Sequence, residues 1–179
     1  DDTKLISVML ANNEIGTIQP VKNVCNIAAE YAIPVHTDAV AAYGHIPVNV
    51  KELGVDYLSV SAHKIGGAKG TGFLYAKAAN INPYICGGGQ EKGKRSGTEN
   101  VAGIMGLAKA AEIAHEKLDS RIEEENITKD YITNRILREI KGSSLNGDCK
   151  NRISGNMNFA FTGINGGELV IMLDKNGIC

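Results

Sequence analysis

Apolar residues fall into two rhythms along this chain. Leu5-Ile6-Ser7-Val8-Met9-Leu10 is a mostly apolar run of strand length. Ile33-Pro34-Val35-His36-Thr37, Tyr57-Leu58-Ser59-Val60 and Gly72-Phe73-Leu74-Tyr75-Ala76 are three more short runs bounded by turn residues, and all four predict short buried strands. Between the first two, Val24, Ile27 and Ala28 recur at helical spacing from Pro20 to about Tyr31, and proline suits a helix's first turn. Strand, helix, strand makes a βαβ unit, hence a parallel pair. A further helical turn, Val50 to Leu53, leads to Asp56 and the third strand.

The second half has the other rhythm. From Asn100 to about Lys141 the pattern is helical, with Leu107, Ala111, Ala114 and Leu118 on one face and Ile127, Tyr131, Ile132, Ile136 and Ile140 on another. A break is expected between Leu118 and Arg121. After Gly142 the composition shifts: Asn156 to Phe161 alternates as a strand, and Gly166-Gly167-Glu168 opens a helix through Leu169, Ile171, Met172 and Leu173. The expected organisation is a large α/β unit over 1–117, a connecting helix over 118–141, and the beginning of a smaller α+β unit over 142–179.

Composition narrows the function. With 43% hydrophobic residues in 179, the chain can bury a sizeable core. Nineteen basic and twenty acidic residues are interspersed, giving a net charge of -1, so there is no basic stripe for a nucleic acid. Glu123-Glu124-Glu125 reads as a solvated helix face. No apolar run reaches membrane-spanning length and no leader is visible, so no membrane partner is expected. Four cysteines, Cys25, Cys86, Cys149 and Cys179, are widely spaced without a C-x-x-C pair. That argues against structural zinc or a disulfide framework and fits a reducing cytoplasm. The chain opens on Asp1-Asp2-Thr3 and ends on Cys179, which reads as a stretch of a longer protein.

Candidate chemistry gathers where strands end. Ser61-Ala62-His63-Lys64 follows the third strand and precedes the glycine-rich run Gly66 to Gly72. Open α/β sheets place ligand crevices at strand carboxyl ends. A lysine held there by rigid neighbours can be partly desolvated and become a nucleophile toward carbonyls. A lone lysine in that position is ordinarily a surface residue. Alternation puts Ser61 and His63 on one side, with Lys64 turned elsewhere. Asp38 ends the second strand, as a helix cap or as a carboxylate aimed at a cation. Asn12-Asn13-Glu14-Ile15-Gly16 follows the first strand and makes a good turn, while an asparagine there can also donate to a ligand. Gly87 to Arg95 is a flexible basic loop. Ser96-Gly97-Thr98-Glu99 has the form of a capping box, so a helix starting there, with Lys94 and Arg95 adjacent, could hold an anion. Neither G-x-x-x-x-G-K-[ST] nor a strand-linked G-x-G-x-x-G is present.

Four stretches occur together and in order: Ala11-Asn12-Asn13-Glu14-Ile15-Gly16-Thr17-Ile18-Gln19-Pro20, His36-Thr37-Asp38-Ala39-Val40, Ser61-Ala62-His63-Lys64 and Arg95-Ser96-Gly97-Thr98-Glu99-Asn100. In this the chain resembles, over essentially its whole length, the cysteine desulfurases. These are pyridoxal-phosphate enzymes of the class V aminotransferase group, whose fold is a three-layer, mostly parallel sheet between helices. The resemblance implies that Lys64 is the Schiff-base lysine holding the cofactor aldehyde and moving protons during the reaction. It pairs Asp38 with the pyridine nitrogen, sets Asn13 against the phenolic oxygen and the substrate carboxylate, and gives Ser61 and His63 the phosphate. It implies that Thr98 reaches the phosphate of a neighbouring subunit, hence a homodimer. The implied reaction takes sulfur from L-cysteine, leaving alanine and a persulfide on an enzyme cysteine. From there sulfur passes to acceptor or scaffold proteins for iron–sulfur clusters or thiolated cofactors.

Two positions depart from the pattern: Ala41 stands where a glutamine usually meets the phenolic oxygen, and Ala68 where proline usually stiffens the lysine loop. The resemblance also places the persulfide cysteine and a carboxylate-binding arginine beyond Cys179, and a ring-stacking histidine before Asp1. Cys179 is therefore not the nucleophile, and this stretch alone is expected not to turn over cysteine. The alternatives are a related selenocysteine lyase or transaminase, or a non-catalytic domain keeping the fold with a degenerate site.

Overall fold

In a computed structural model, residues 2–78 and 81–178 are described. Cys179 lies outside them. The elements are β1 (Ile6–Met9), α1 (Val21–Glu30), β2 (Val35–Asp38), α2 (Val50–Leu53), β3 (Tyr57–Ser61), a 3-10 turn (Ala62–Ile65), β4 (Gly72–Ala76), α3 (Gln90–Gly93), α4 (Val101–Glu116), α5 (Leu118–Glu139), β5 (Ser143–Leu145), β6 (Phe159–Phe161) and α6 (Gly166–Lys175). The main sheet runs β1-β2-β3-β4, and β5 and β6 form a separate antiparallel pair. β1, β2 and β3 are parallel, as the βαβ pattern requires, and β4 returns antiparallel to β3. The class is α/β with a mostly parallel sheet.

Alternation explains which face is buried. Val35 and Thr37 of β2 and Leu58 and Val60 of β3 point into a core shared with Val21, Cys25 and Ala28 of α1. Complete burial of a side chain such as Leu58 or Val35 is worth about 1.5–3 kcal/mol. The polar residues between them, His36, Asp38, Ser59 and Ser61, occupy the opposite, half-exposed face. Thr37 is fully buried because its hydroxyl donates to the Val8 carbonyl across the sheet, 2.8 Å away.

The long helical stretch breaks at Lys117, one residue before the expected window. α4 packs Leu107, Ala110 and Ala114 against Ala62 and Ile65 of the 3-10 turn, close to the expected face. α5 buries no residue fully, so its apolar face, with Ile132 and Ile136 half-buried, is only partly covered by the described residues.

Three local expectations are corrected. α4 starts at Val101 rather than after Ser96: Asn100 caps it, accepting from the Gly103 N–H, while buried Ser96 donates to the Gly88 carbonyl. The stretch 87–95 is not simply an open loop, since it contains one-turn α3 with Glu91 and Lys92 at positive φ. The alternating stretch from Asn156 becomes strand only at Phe159, because Asn156 and Asn158 are spent on contacts to the first turn.

Candidate functional site

Parallel pairing sets the carboxyl ends of β1, β2 and β3 along one edge. Met9 stands opposite Asp38, and Asp38 opposite Ser59. The chain leaves β1 toward Asn13, leaves β2 at Asp38, and leaves β3 at Ser61 into the turn carrying His63 and Lys64. The topology thus brings Asn13, Asp38, Ser61, His63 and Lys64 to the same edge. Thr98 is exposed, on the loop before α4.

Local bonding separates the spare groups from the occupied ones. Asn12, not Asn13, builds the first turn: its Oδ1 accepts from the N–H groups of Glu14 and Ile15, both at 2.9 Å. The Asn13 amide is exposed and makes no side-chain hydrogen bond among the described residues. Asp38 uses Oδ1 to accept from the Val40 N–H at 2.8 Å, the local cap expected of an aspartate there. Its other oxygen is left for a further donor. Ser61 Oγ and His63 Nδ1 are 2.8 Å apart, so the two side chains are hydrogen-bonded to each other.

Lys64 is the third residue of the 3-10 turn, which ends at Gly66 in the left-handed region with φ 83°. Glycine takes that conformation without a Cβ penalty, so the chain reverses directly after the lysine. The Lys64 side chain is exposed, and the partial desolvation expected of it is not supplied by the described residues. The helix terminus near the basic loop is also displaced. α4 begins beyond Glu99, and the Lys94 ammonium donates to the Ile81 carbonyl at 3.1 Å. Ala41 is half-buried, and its methyl offers no hydrogen bond to the edge.

Two features escape a reading of residue types alone. His36 bridges three strands, with Nδ1 2.8 Å from Ser7 Oγ and Nε2 2.8 Å from Ser59 Oγ. It lies two residues before Asp38 and so on the same face, which is the signal that points to it. The second is Arg152, buried against the turn that carries Asn13. Nothing in its neighbourhood, Asn151-Arg152-Ile153-Ser154-Gly155, marks it as other than loop.

No cluster of metal-ligating side chains exists among the described residues. The donor set is an exposed amine, a carboxylate with a free oxygen, a free amide and a hydroxyl–imidazole pair. It suits an organic group bearing an aldehyde, a basic ring nitrogen and an anion.

The model of the family described as aminotransferase class-V matches residues 1–179. A relative in Dictyoglomus turgidum, named cysteine desulfurase IscS, is 51% identical over 99% of this chain and 45% of its own length. A Clostridium botulinum relative of the same name is 48% identical, over 99% of this chain and 46% of its own. A solved structure described as a NifS-like protein superposes with a TM-score of 0.93 at 40% identity, covering 99% of this chain and 49% of that one. The chain spans about half the length of the curated relatives it matches.

Proposed function

The chain belongs to the aminotransferase class-V family, and on that premise we propose that the whole protein is a pyridoxal-phosphate-dependent cysteine desulfurase. L-cysteine and an enzyme thiol would give L-alanine and an enzyme persulfide, with sulfur then passed to an acceptor or scaffold protein. The observation that carries this reading is the convergence of Asn13, Asp38 and Lys64 on one sheet edge, each with a polar group to spare. The relatives' names point the same way.

The residues divide the work. When bound, pyridoxal phosphate supplies an electron-poor ring that stabilises negative charge on the substrate's α-carbon. Asp38, through the oxygen not used by Val40, would keep a proton on the ring nitrogen. Lys64 Nζ would hold the aldehyde and afterwards carry protons. Asn13 Nδ2 would donate to the phenolic oxygen and the substrate carboxylate. Ser61 and His63, already paired, would bind the phosphate, with Thr98 doing so for a neighbouring subunit. A homodimer follows from that last role, and a cytoplasmic setting from the cysteine pattern; both belong to the proposal.

The test uses the full-length protein. Pyridoxal phosphate is added, the yellow complex is reduced with borohydride, and the labelled peptide is mapped. Label on the Lys64 peptide is expected, with at least about 10²-fold loss of alanine production in Lys64→Ala. No label, or label scattered over surface lysines, rejects the reading. That result would favour a non-catalytic domain, the alternative that Ala41 supports. Alanine formed from L-cysteine without matching sulfur would reject desulfuration alone.

A further inference from the structure

Arg152 is only 6% exposed, and among the described residues no carboxylate pairs with its guanidinium. Its hydrogen bonds go instead to its own loop. Nε donates to the Asp148 carbonyl at 3.0 Å, Nη2 to the Asn146 carbonyl, and Nη1 to the carbonyl and Oδ1 of Asn156 at 3.3 and 3.0 Å. Burying a charge is costly unless it is hydrogen-bonded, and an apolar side chain would fill the space at less cost. What the guanidinium adds is geometry: it ties residues 146, 148 and 156 together.

One consequence falls on Asn156. With Oδ1 accepting from Arg152, the amide is fixed with Nδ2 outward. That nitrogen donates to the carbonyls of Asn13 and Glu14, at 3.4 and 3.0 Å, and Asn158 Nδ2 adds a bond to Glu14 at 3.2 Å. Backbone bonds extend the contact. Ile18 N–H donates to the Asn151 carbonyl at 2.7 Å, and Ile153 N–H to the Gly16 carbonyl at 3.0 Å. Both surfaces are shaped for close approach. A Cβ on Gly16 would lie 2.6 Å from Asn156 Oδ1, and one on Gly147 would lie 2.6 Å from the Ile15 carbonyl.

The turn carrying Asn13 is therefore held from two sides. Asn12 satisfies its N–H groups from within, and the loop of Arg152 satisfies its carbonyls from without. Among the described residues the Asn13 side chain makes no hydrogen bond, so where it stands is set by the backbone that carries it. We propose that Asn156, its amide oriented by Arg152, is a positioning residue that sets the Asn13 amide at the sheet edge. The proposal rests on the reading that Asn13 faces the cofactor and substrate.

The experiment compares Asn156→Asp and Asn156→Ala with wild type in the full-length protein. Asn156→Asp keeps an acceptor for Arg152 and replaces the donor to the turn with a carboxylate oxygen facing its carbonyls, while Asn156→Ala removes the donor without adding charge, so a role confined to holding Arg152 survives only the first. Amide hydrogen exchange is measured first, without cofactor. Both variants are expected to speed exchange at Glu14, Ile15 and Gly16 by about tenfold or more while β2 stays protected. Pyridoxal phosphate is then added. The visible band of the bound cofactor is expected to shift as it does in Asn13→Ala, and the Asn13→Ala, Asn156→Asp double variant to shift no further. Unchanged exchange at the turn overturns the clamp whatever the cofactor does. Faster exchange with a wild-type band, or shifts that add in full, overturns the link to Asn13. Faster exchange in a protein whose wild type binds no cofactor at Lys64 overturns the cofactor reading, and the positioning role falls with it.

Discussion

The sheet region and the C-terminal elements are held by different physics. From Ile6 to Ala76, alternate side chains of β2 and β3 disappear into a core with α1, and Leu58, Val21, Val35 and Val55 are fully buried. From Leu118 to Ile178, only Arg152, Ile153 and Ser154 are buried, and neither α5 nor α6 buries a residue. Both regions expose apolar residues, but in the second almost no buried set stands against them: Ile127 is 67% exposed and Met172 62%. Apolar packing fixes the first region. The second touches it mostly through polar contacts: the loop of Arg152, which sends only Ile153 into the core, Arg121, which donates to the Gly44 carbonyl at 3.1 Å, and Glu125, 3.9 Å from His45 Nδ1. A region fixed by packing resists perturbation of any one hydrogen bond. A region attached by polar contacts is sensitive at those contacts and tolerant elsewhere.

The largest contrast is in truncation. Leu58→Ala should cost about 2–5 kcal/mol, because a buried side chain is replaced by a cavity that rigid strands cannot close. Ile127→Ala should stay within about 0.5 kcal/mol, since its side chain already meets water. Urea unfolding of the two variants measures both. Equal losses would break the comparison, showing that α5 packs as tightly as the sheet.

A smaller effect sharpens it, because the same cap occurs on α4, which packs against the first region, and on α6 of the second. Asn100 caps α4 through the Gly103 N–H, and Asn165 caps α6 through the N–H groups of Gly167 and Glu168. Asn100→Ala should cost about 0.5–2 kcal/mol of global stability, since α4 is anchored in the core by Leu107 and Ala114. Asn165→Ala should fray α6 alone: hydrogen exchange rises in its first turn and the unfolding midpoint stays put. A shifted midpoint in Asn165→Ala would show α6 to be part of the cooperative unit.

The same division governs what the residues reveal before any coordinates. The βαβ unit is legible because burial on one face forces apolar alternation, and Pro20 marks where α1 begins. Parallel pairing then follows, and with it the shared edge of Asn13, Asp38 and Lys64. Where polar bonds decide, letters do not. Asn12 and Asn13 are the same residue type, and only hydrogen bonding tells the turn-former from the free amide. Ser96 to Glu99 has the spacing of a capping box, yet Ser96 is drawn away by the Gly88 carbonyl. β5, Ser143-Ser144-Leu145, carries too little apolar pattern to register as a strand. Arg152 reads as a solvated loop residue because its partners are mostly backbone carbonyls, which no side-chain motif encodes.

The smallest expected effect lies at the exposed end of α5. Hydrogen bonds from Arg135 and then Arg138 hold the Glu139 carboxyl down to about 2, from an ordinary 4.5. A carboxyl whose pKa is lower folded than unfolded stabilises when ionised. The contribution is therefore complete above about 4.5 and is lost as pH falls toward 2. The pair is solvent-exposed, so added salt weakens it further. Glu139→Gln removes the titration. Its helicity between pH 4.5 and 2 should fall less steeply than wild type's, with little difference at pH 7. Matching acid profiles would mean that the ion pair adds nothing, leaving α5 without even this local restraint. A large loss of global stability in Glu139→Gln at neutral pH would mean the reverse, that the C-terminal elements are coupled to the sheet as strongly as the core residues are.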